Sequence, residues 1–307
     1  MVEGKQFYLY QSFLFGLMIS LVKVLSLDHF PQLQYIKPSQ NLLEQKAAVE
    51  LLIHRILPGR ESEFRIRINS SLGKLDRDSF RLRTLHSGEL EITGSSGVAA
   101  SLGLGVYLKE YGSCQVAWSD SQLNLSSPLP QVSDVLVRSA NDRFHYYSNV
   151  CTFGYTYVWW SWKRWQREID WMALNGVNMP LAFVGQEAIT QKVFKLLGPF
   201  SPWFRMGNLV KWGGPLSQQF IRQQVKLQHR ILSSMRAYGM TPVLPSFSGH
   251  VPAGLAQLYP KANITKLSLW SHFTSKYSGT YYLSPTDPLY NRIVELFIQK
   301  YTEEFGN

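Results

Sequence analysis

Hydrophobic residues recur at helical spacing near the start of the chain and predict a first helix over residues 39–57. Ser39 can cap its first turn, and Pro58-Gly59 ends the pattern. The predicted apolar face consists of Leu43, Ala47, Ala48, Leu51 and Leu52.

Strict alternation of apolar and polar residues follows this helix and is typical of half-buried strands. The predicted strands are residues 64–68, 80–83 and 90–92. Helical spacing returns over residues 95–111 and stops at Gly112. Together these elements predict a small α+β domain over residues 39–118, followed by a Ser- and Pro-rich linker over residues 119–142.

After the linker, short apolar runs alternate with amphipathic helices. The predicted strands are residues 144–150, 179–184 and 240–244. The predicted helices are residues 162–175, 186–197, 217–238 and 288–304, with a Gly-, Pro- and Trp-rich loop at 198–217. Apolar strands separated by helices indicate a parallel α/β architecture.

Crossover rules leave a doubly wound sheet and a barrel open for this second region. Long loops after the strands favour a barrel with its site at the carboxyl ends of the strands. About three strand–helix units are recognisable, whereas a closed (β/α)8 barrel has eight units over roughly 250 residues. Residues 143–307 are therefore expected to be the first part of a (β/α)8 TIM-type barrel that is incomplete within this chain.

Composition excludes several classes of protein. The 307 residues are 45% hydrophobic and 17% charged, which is globular composition. The net charge of +10 attracts polyanions, but no Lys/Arg block or nucleic-acid motif is present, so no nucleic-acid partner is expected. The two cysteines, Cys114 and Cys151, lie far apart without metal-type spacing and are expected to be free thiols. Neither a metal nor an organic cofactor is expected.

The first residues indicate a secretory route. Lys5 and an apolar run over residues 13–22 fit a signal peptide ending near residue 26, and the run is too short for a membrane span. Three Asn-X-Ser/Thr sequences provide candidate glycosylation sites at Asn69, Asn124 and Asn263. The chain is therefore expected in the secretory pathway, without a membrane span.

Several long motifs in the second region identify a family. They are Tyr146-Tyr147-Ser148-Asn149-Val150-Cys151-Thr152, Trp159-Trp160-Ser161-Trp162, Glu168-Ile169-Asp170-Trp171-Met172-Ala173-Leu174-Asn175-Gly176-Val177-Asn178, Gly185-Gln186-Glu187-Ala188-Ile189, Arg205-Met206-Gly207-Asn208, Trp212-Gly213-Gly214-Pro215-Leu216 and Ser248-Gly249-His250-Val251-Pro252. From about residue 41 onward the chain resembles the α-N-acetylglucosaminidases, glycoside hydrolase family 89.

The resemblance implies a lysosomal exo-glycosidase that removes terminal α-linked N-acetylglucosamine, in animals from heparan sulfate, with retention of configuration. Such enzymes use two carboxyl groups about 5 Å apart, one as acid/base and one as nucleophile. In this family both follow the segment that matches residues 301–306, so both are expected beyond Asn307. The chain alone is therefore expected to be inactive. Whether the full-length form is an oligomer is left open.

The resemblance also implies a sugar pocket lined by residues after the first strands. Asn149 is expected to bind sugar hydroxyls beside Cys151; as alternatives, Asn149 caps the next segment and Cys151 is a small buried residue. Gln186 and Glu187 follow the second strand, where a carboxylate in a barrel is typically functional, or where Glu187 favours a helix N-terminus. The resemblance makes Glu187 a substrate-positioning residue.

Three further residues complete the predicted pocket. Trp203 and Trp212, in the Gly- and Pro-rich loop, are expected either to stack on the sugar or to pack in the core. His250 is expected at the pocket border. Two departures affect this site: Thr190 stands where the family has Trp, and the segment between Leu197 and Trp203 is shorter than in relatives.

Two acidic residues of the second region are interpreted as structural. Glu168 is four residues after Arg164, and Asp170 is three after Arg167, so both are expected in ion pairs on a helix surface.

Two other functions stay open. The chain can be a non-catalytic glycan-binding protein for GlcNAc-ended or sulfated chains. It can also be a truncated product without a stable function, because part of a parallel barrel exposes unpaired strand edges.

Overall fold

The computed structural model describes residues 33, 36–73, 76–117, 119–197, 216–269, 272, 274–275 and 279–306. The predicted signal peptide lies outside the described residues, as does most of the loop at 198–217. The helices are α1 (Leu42–Ile56), α2 (Gly97–Glu110), α3 (Trp162–Leu174), α4 (Gln186–Leu197), α5 (Gln218–Ala237), α6 (Ala253–Leu258) and α7 (Pro288–Phe305). The strands are β1 (Phe64–Ile68), β2 (Ser79–Thr84), β3 (Leu90–Gly94), β4 (Gln115–Val116), β5 (Ser121–Gln122), β6 (Leu136–Ser139), β7 (Tyr146–Tyr147), β8 (Met179–Pro180), β9 (His250–Val251), β10 (Ile264–Lys266) and β11 (Tyr281–Leu283).

The N-terminal sheet has the strand order β1-β3-β2-β6, with β1 parallel to β3 and the other pairs antiparallel. Alternation places one apolar residue from each of β1, β3 and β2 in a single row, in which Ile92 lies between Ile66 and Leu82. All three are buried. Strand β6 comes from the segment predicted as a linker, and the linker prediction omitted it.

The opposite face of this sheet carries cross-strand ion pairs. Glu91 on β3 is 1% exposed and lies 2.8 Å from Arg67 and 2.7 Å from Arg83, measured between nitrogen and carboxylate oxygen. Arg81 lies 3.6 Å from the same carboxylate. Arginine side chains on the neighbouring strands therefore cover a carboxylate that alternation alone predicts to be exposed.

Helix α1 differs from the prediction in its N-cap residue and in the face that is buried. Asn41, not Ser39, is the N-cap, because its side-chain oxygen accepts from the backbone N–H groups of Leu43 and Glu44, each at 3.0 Å. The buried residues are Gln45, Ala48, Val49, Leu52 and Ile53, whereas Leu43 is 79% exposed and Leu51 is 57% exposed. The predicted face was therefore right for Ala48 and Leu52 and wrong for Leu43, Ala47 and Leu51. Gln45 is buried because its Oε1 accepts from the backbone N–H of Gly97 at 2.8 Å, which turns α1 toward α2.

Three parallel segments lie side by side in chain order in the second region. Tyr146 and Tyr147 pair with Met179 and Pro180, and Leu181 forms a parallel bridge with Val243. These strands are shorter than predicted. Strand β7 ends before Ser148, which has a positive φ, and Pro180 has no N–H to extend the pairing of Leu181 with Val243 back toward Thr241. The order agrees with successive strands of a parallel α/β fold, each followed by helix.

One hydrophobic core runs through residues Ser39–Asn307, which form one compact unit. Helix α2 packs against the N-terminal sheet and also against α3. Gly105 permits the close approach of α2 to α3, because a Cβ at this position would lie 2.2 Å from the carbonyl oxygen of Leu174. In the part of the chain that the structure describes, no helix has the length and apolar character needed to cross a membrane.

The long loop predicted before α7 contains structure that alternation did not reveal. Strands β9, β10 and β11 form an antiparallel sheet in the order β10-β11-β9, and α6 follows β9. Each strand is only two or three residues long, which is too short for a periodic signal.

Candidate functional site

The segment from Ser148 to Thr152 leaves the carboxyl end of β7 in a strained, hydrogen-bonded turn. Ser148 has a φ of 91°, a left-handed conformation that is costly for a residue with a Cβ. Its Oγ lies 3.0 Å from Thr152 Oγ1, and Thr152 Oγ1 donates to the carbonyl of Asn149 at 2.5 Å. Nothing in the sequence signals this strain, and the fold places it beside a predicted sugar-binding residue.

Asn149 is the N-cap of the 3-10 helix Val150–Gly154. Its Oδ1 accepts from the backbone N–H of Cys151 at 2.7 Å, so the capping role is present. The side chain is exposed, and its amide Nδ2 donates to no residue in the described part of the chain. Asn149 therefore caps the segment with Oδ1, as the alternative interpretation predicted, and a sugar contact through Nδ2 stays a prediction.

The two cysteines are free, as predicted, and differ in exposure. Cys151 is exposed beside Asn149, so the alternative that it is a small buried residue is wrong. Cys114 is buried, and burial raises the pKa of its thiol.

Beneath this turn lies a buried polar group that spacing predicted only in part. Glu168 pairs with Arg164 at 3.0 Å, as its position four residues later predicted, but it is 0% exposed instead of lying on a helix surface. It also accepts from the hydroxyl of Tyr147 on β7 at 2.8 Å. Burial raises the pKa of Tyr147, and hydrogen bonds with Tyr157 and Glu168 raise it further. Glu168 thus holds β7 on α3 and is too buried to contact a substrate.

Asp170 does not pair with Arg167, and that part of the prediction was wrong. Its carboxylate receives two hydrogen bonds from Arg55 of α1, at 2.7 and 2.8 Å, and one from Tyr238 after α5, at 2.7 Å. The side chain is buried, so this group of three residues ties α1, α3 and the end of α5 together. The true partner is distant in the sequence and could not be found from local spacing.

The side chain of Asn178 forms hydrogen bonds with the chain just before β7. Its Oδ1 accepts from the backbone N–H of His145 at 2.8 Å, and its Nδ2 donates to Arg143 O at 2.8 Å and Asp78 Oδ2 at 2.9 Å. The side chain therefore joins the N-terminal sheet to the first parallel strand. Its motif was recognised in the sequence, but its role was not.

Gln186 and Glu187 form the first turn of α4, after β8. Glu187 is 3% exposed and lies near Tyr301 of α7: burial raises the pKa of that tyrosine, and the charge of Glu187 raises it further. Gln186 is half-buried. Glu187 is therefore buried in the structure beside Tyr301, and its contact with a sugar stays a prediction.

His250 lies on β9 and is half-buried. Its Nδ1 is 3.2 Å from Thr280 Oγ1, and its ring meets that of Tyr282 edge to face with 5.8 Å between centroids. Burial lowers the pKa of His250, which favours the neutral imidazole. Tyr282 belongs to β11, and Thr280 directly precedes that strand, which the sequence did not reveal.

The predicted residues Trp203 and Trp212 lie outside the described residues. Another tryptophan, Trp159, lies in the loop after β7 with 60% of its surface exposed and touches Phe220 edge to face at 6.0 Å. It belongs to a recognised motif but was not singled out as a site residue. Its exposure and its contact with α5 could not be predicted from the sequence.

All three candidate glycosylation residues, Asn69, Asn124 and Asn263, are exposed. Among the described residues, no three His, Cys, Asp or Glu side chains are grouped closely enough to hold a metal ion.

The arrangement resembles known proteins along nearly its whole length. Residues 145–307 match the family described as Alpha-N-acetylglucosaminidase (NAGLU) tim-barrel domain, and residues 47–131 match the N-terminal domain of that family. Human (Homo sapiens) alpha-N-acetylglucosaminidase is 44% identical over 277 residues, covering 85% of this chain and 37% of the human protein.

Solved structures of family 89 glycoside hydrolases also match this chain. A family 89 glycoside hydrolase from Clostridium perfringens, in complex with 2-acetamido-1,2-dideoxynojirmycin, has a TM-score of 0.76 at 25% identity and covers 87% of this chain and 32% of its own. The Clostridium perfringens enzyme CpGH89 in complex with its substrate GlcNAc-alpha-1,4-galactose also has a TM-score of 0.76 at 25% identity, with coverage of 86% and 31%.

This chain spans only about a third of the length of these relatives. The matched regions confirm the coarse fold prediction, a family N-terminal domain followed by TIM-barrel sequence. On these matches, the chain belongs to the alpha-N-acetylglucosaminidase family, glycoside hydrolase family 89.

Proposed function

We propose that this chain forms the sugar-recognising part of a retaining exo-glycosidase that removes terminal α-linked N-acetylglucosamine, with heparan sulfate as the natural substrate. Family membership supports the reaction class. The observation that carries the proposal is the turn after β7, where a strained Ser148 presents an exposed amide donor on Asn149 next to exposed Cys151. Strained backbone of this kind clusters at ligand sites.

Within this proposal each residue has a role. Asn149 donates to a hydroxyl of the terminal sugar, and Cys151 lines the same opening. Glu187 and Gln186 position the sugar from the second strand, and His250 borders the pocket as a neutral group. The acid/base and the nucleophile are contributed by carboxylates that are not among these 307 residues, and no cofactor takes part. The exposed sequons support a secretory route, which we propose leads to the lysosome.

A thiol-protection experiment tests the sugar site. In the native chain, a maleimide should label exposed Cys151 much faster than buried Cys114, because only the accessible thiolate reacts. If Cys151 lines the sugar site, 2-acetamido-1,2-dideoxynojirimycin at about ten times its Kd should slow labelling of Cys151 about tenfold. Mass spectrometry of peptides containing each cysteine gives both rates in one sample.

Asn149→Ser is the matched variant, because serine retains the capping interaction but removes the amide donor. It should raise the Kd of the iminosugar about tenfold, the value of one good hydrogen bond of about 1.4 kcal/mol. At the same ligand concentration, the protection of Cys151 should then fall to about twofold. The unfolding midpoint should stay unchanged. Unaltered Cys151 labelling at saturating ligand would exclude this turn from the sugar site.

Catalysis by the isolated polypeptide is tested separately. Purified chain incubated with an aryl α-N-acetylglucosaminide should release no more aryl alcohol than a mock preparation, because the paired carboxyl groups of a retaining site are not expected among its residues. The Clostridium perfringens enzyme serves as positive control. Turnover that survives further purification would show that catalytic carboxylates lie within the chain. Glycan binding without turnover fits both the proposal and a non-catalytic glycan-binding protein.

A further inference from the structure

A basic groove runs between α4 and α5, separate from the residues discussed above. It has a volume of about 360 Å³ and is lined by Lys192 and Lys195 from α4 and by Arg222 and Lys226 from α5. The spacings of three and four residues place both members of each pair on the same side of their helix. This volume lies at the lower end of the range of about 300–1,000 Å³ found for small-ligand sites. We refer to it as the α4/α5 groove.

Most of the positive charge of the groove is not neutralised. The acid that lines it, Glu304 of α7, is paired with Lys192 and with His229. Lys195, Arg222 and Lys226 are exposed and have no ion-pair partner in the part of the chain that the structure describes. Three uncompensated cations around one depression form a local positive potential that attracts anions.

The floor of the groove is apolar and recessed. Ala188 and Ile221 line it and are buried, at 8% and 4% exposure. A membrane-binding surface carries protruding apolar side chains, whereas here the charged side chains protrude and the apolar ones lie beneath them. Aromatic stacking residues, which single-stranded nucleic acids need, are missing from the described lining. A narrow slot with cationic rims instead fits a chain of sugar rings that carries anionic groups on its edges.

We propose that the α4/α5 groove is an accessory site for a sulfated glycan. The guanidinium of Arg222 can hold a sulfate group through two parallel hydrogen bonds, and Lys195 and Lys226 bind neighbouring sulfates as point charges. The groove begins at Ala188, directly after Glu187 on the same helix. The choice of a glycan rests on the function proposed above, but binding in the groove needs no terminal α-linked N-acetylglucosamine.

The test is calorimetric titration of the 307-residue chain with a heparin-derived hexasaccharide that lacks terminal α-linked N-acetylglucosamine. Saturable binding that weakens with salt is expected, because exposed charges are screened. The triple variant Lys195→Gln/Arg222→Gln/Lys226→Gln should weaken binding at least about tenfold, which corresponds to about 1.4 kcal/mol. The matched control Lys163→Gln/Lys261→Gln/Lys266→Gln removes the same charge from exposed lysines elsewhere and should change affinity less than about threefold.

Several outcomes would overturn the proposal. These are no saturable binding, equal weakening in both triple variants, and groove-dependent binding to phosphatidylserine vesicles without preference for the hexasaccharide. A non-sulfated hexasaccharide should not bind. If the triple variant has a lowered unfolding midpoint, Arg222→Lys is the variant to compare. It keeps the positive charge but loses the planar guanidinium group, and it should still weaken binding about threefold. Hexasaccharide binding without iminosugar protection of Cys151 would refute the sugar site and retain the groove.

Discussion

Replacing Asp170 by alanine is expected to lower the free energy of unfolding by about 3–5 kcal/mol, because it leaves a largely buried guanidinium without its carboxylate. The Asp170 side chain is 7% exposed and that of Arg55 is 26% exposed. Burial opposes the charge on Arg55, but the hydrogen bonds and charge interactions with Asp170 and Tyr238 together outweigh it and raise the pKa of Arg55. Tyr238, fully buried, would also lose its acceptor. Urea unfolding monitored by tryptophan fluorescence measures the change.

Arg167→Gln is the matched control for Asp170, because spacing along α3 points to Arg167 as the partner. Its one described contact is a hydrogen bond of 3.4 Å to the carbonyl of Ala117. Its replacement should change the free energy of unfolding by less than about 0.5 kcal/mol, as for most surface substitutions. Comparable losses in the two variants would contradict the assignment of Arg55 and Tyr238 as the partners of Asp170.

Gly105→Ala is expected to destabilise the protein by about 3 kcal/mol, at the upper end for overpacking. The added Cβ would lie 2.2 Å from the carbonyl oxygen of Leu174, and a backbone atom at the end of α3 cannot rotate away. The helices α2 and α3 would have to separate, which opens the contact between the N-terminal sheet and the second region. Thermal and urea unfolding both report this loss.

Gly103→Ala provides the comparison on the same helix. Its Cβ would meet the ring of Phe80 at 3.1 Å, and a side chain can move by the few tenths of an ångström required. Alanine also gains about 1 kcal/mol of helix propensity over glycine. The net change should therefore stay below about 1 kcal/mol. Equal destabilisation by the two alanines would show that the close approach of Leu174 to Gly105 is not what requires glycine there.

Local periodicity predicted the elements well where burial follows a simple pattern. The bounds of β1 and α4 agree with the observed ones residue for residue. Periodicity failed for α1, because Gln45 is buried through a hydrogen bond to a residue more than fifty positions away. It also overestimated the parallel strands, since hydropathy does not register the missing N–H groups of proline.

The candidate site was accessible to the sequence only through its motifs. They indicated which segments matter, and Asn149, Cys151 and Glu187 stay predictions supported by their positions. What joins these segments was not visible: Tyr147 with Glu168 and Asn178 with Asp78 are contacts between elements distant in the chain. A polar residue with a distant partner has the same local signal as one facing solvent.

The attachment of Asn178 to the N-terminal sheet restricts how the N-terminal region can move. Strand β6 pairs with β2, and Asn178 fastens Asp78, which precedes β2, to the backbone beside β7. Swinging the N-terminal region as a hinged lid would break these bonds and separate α2 from α3 at Gly105. Gating by rigid-body motion of that region is therefore disfavoured, and substrate entry is expected to depend on the loops that follow the parallel strands.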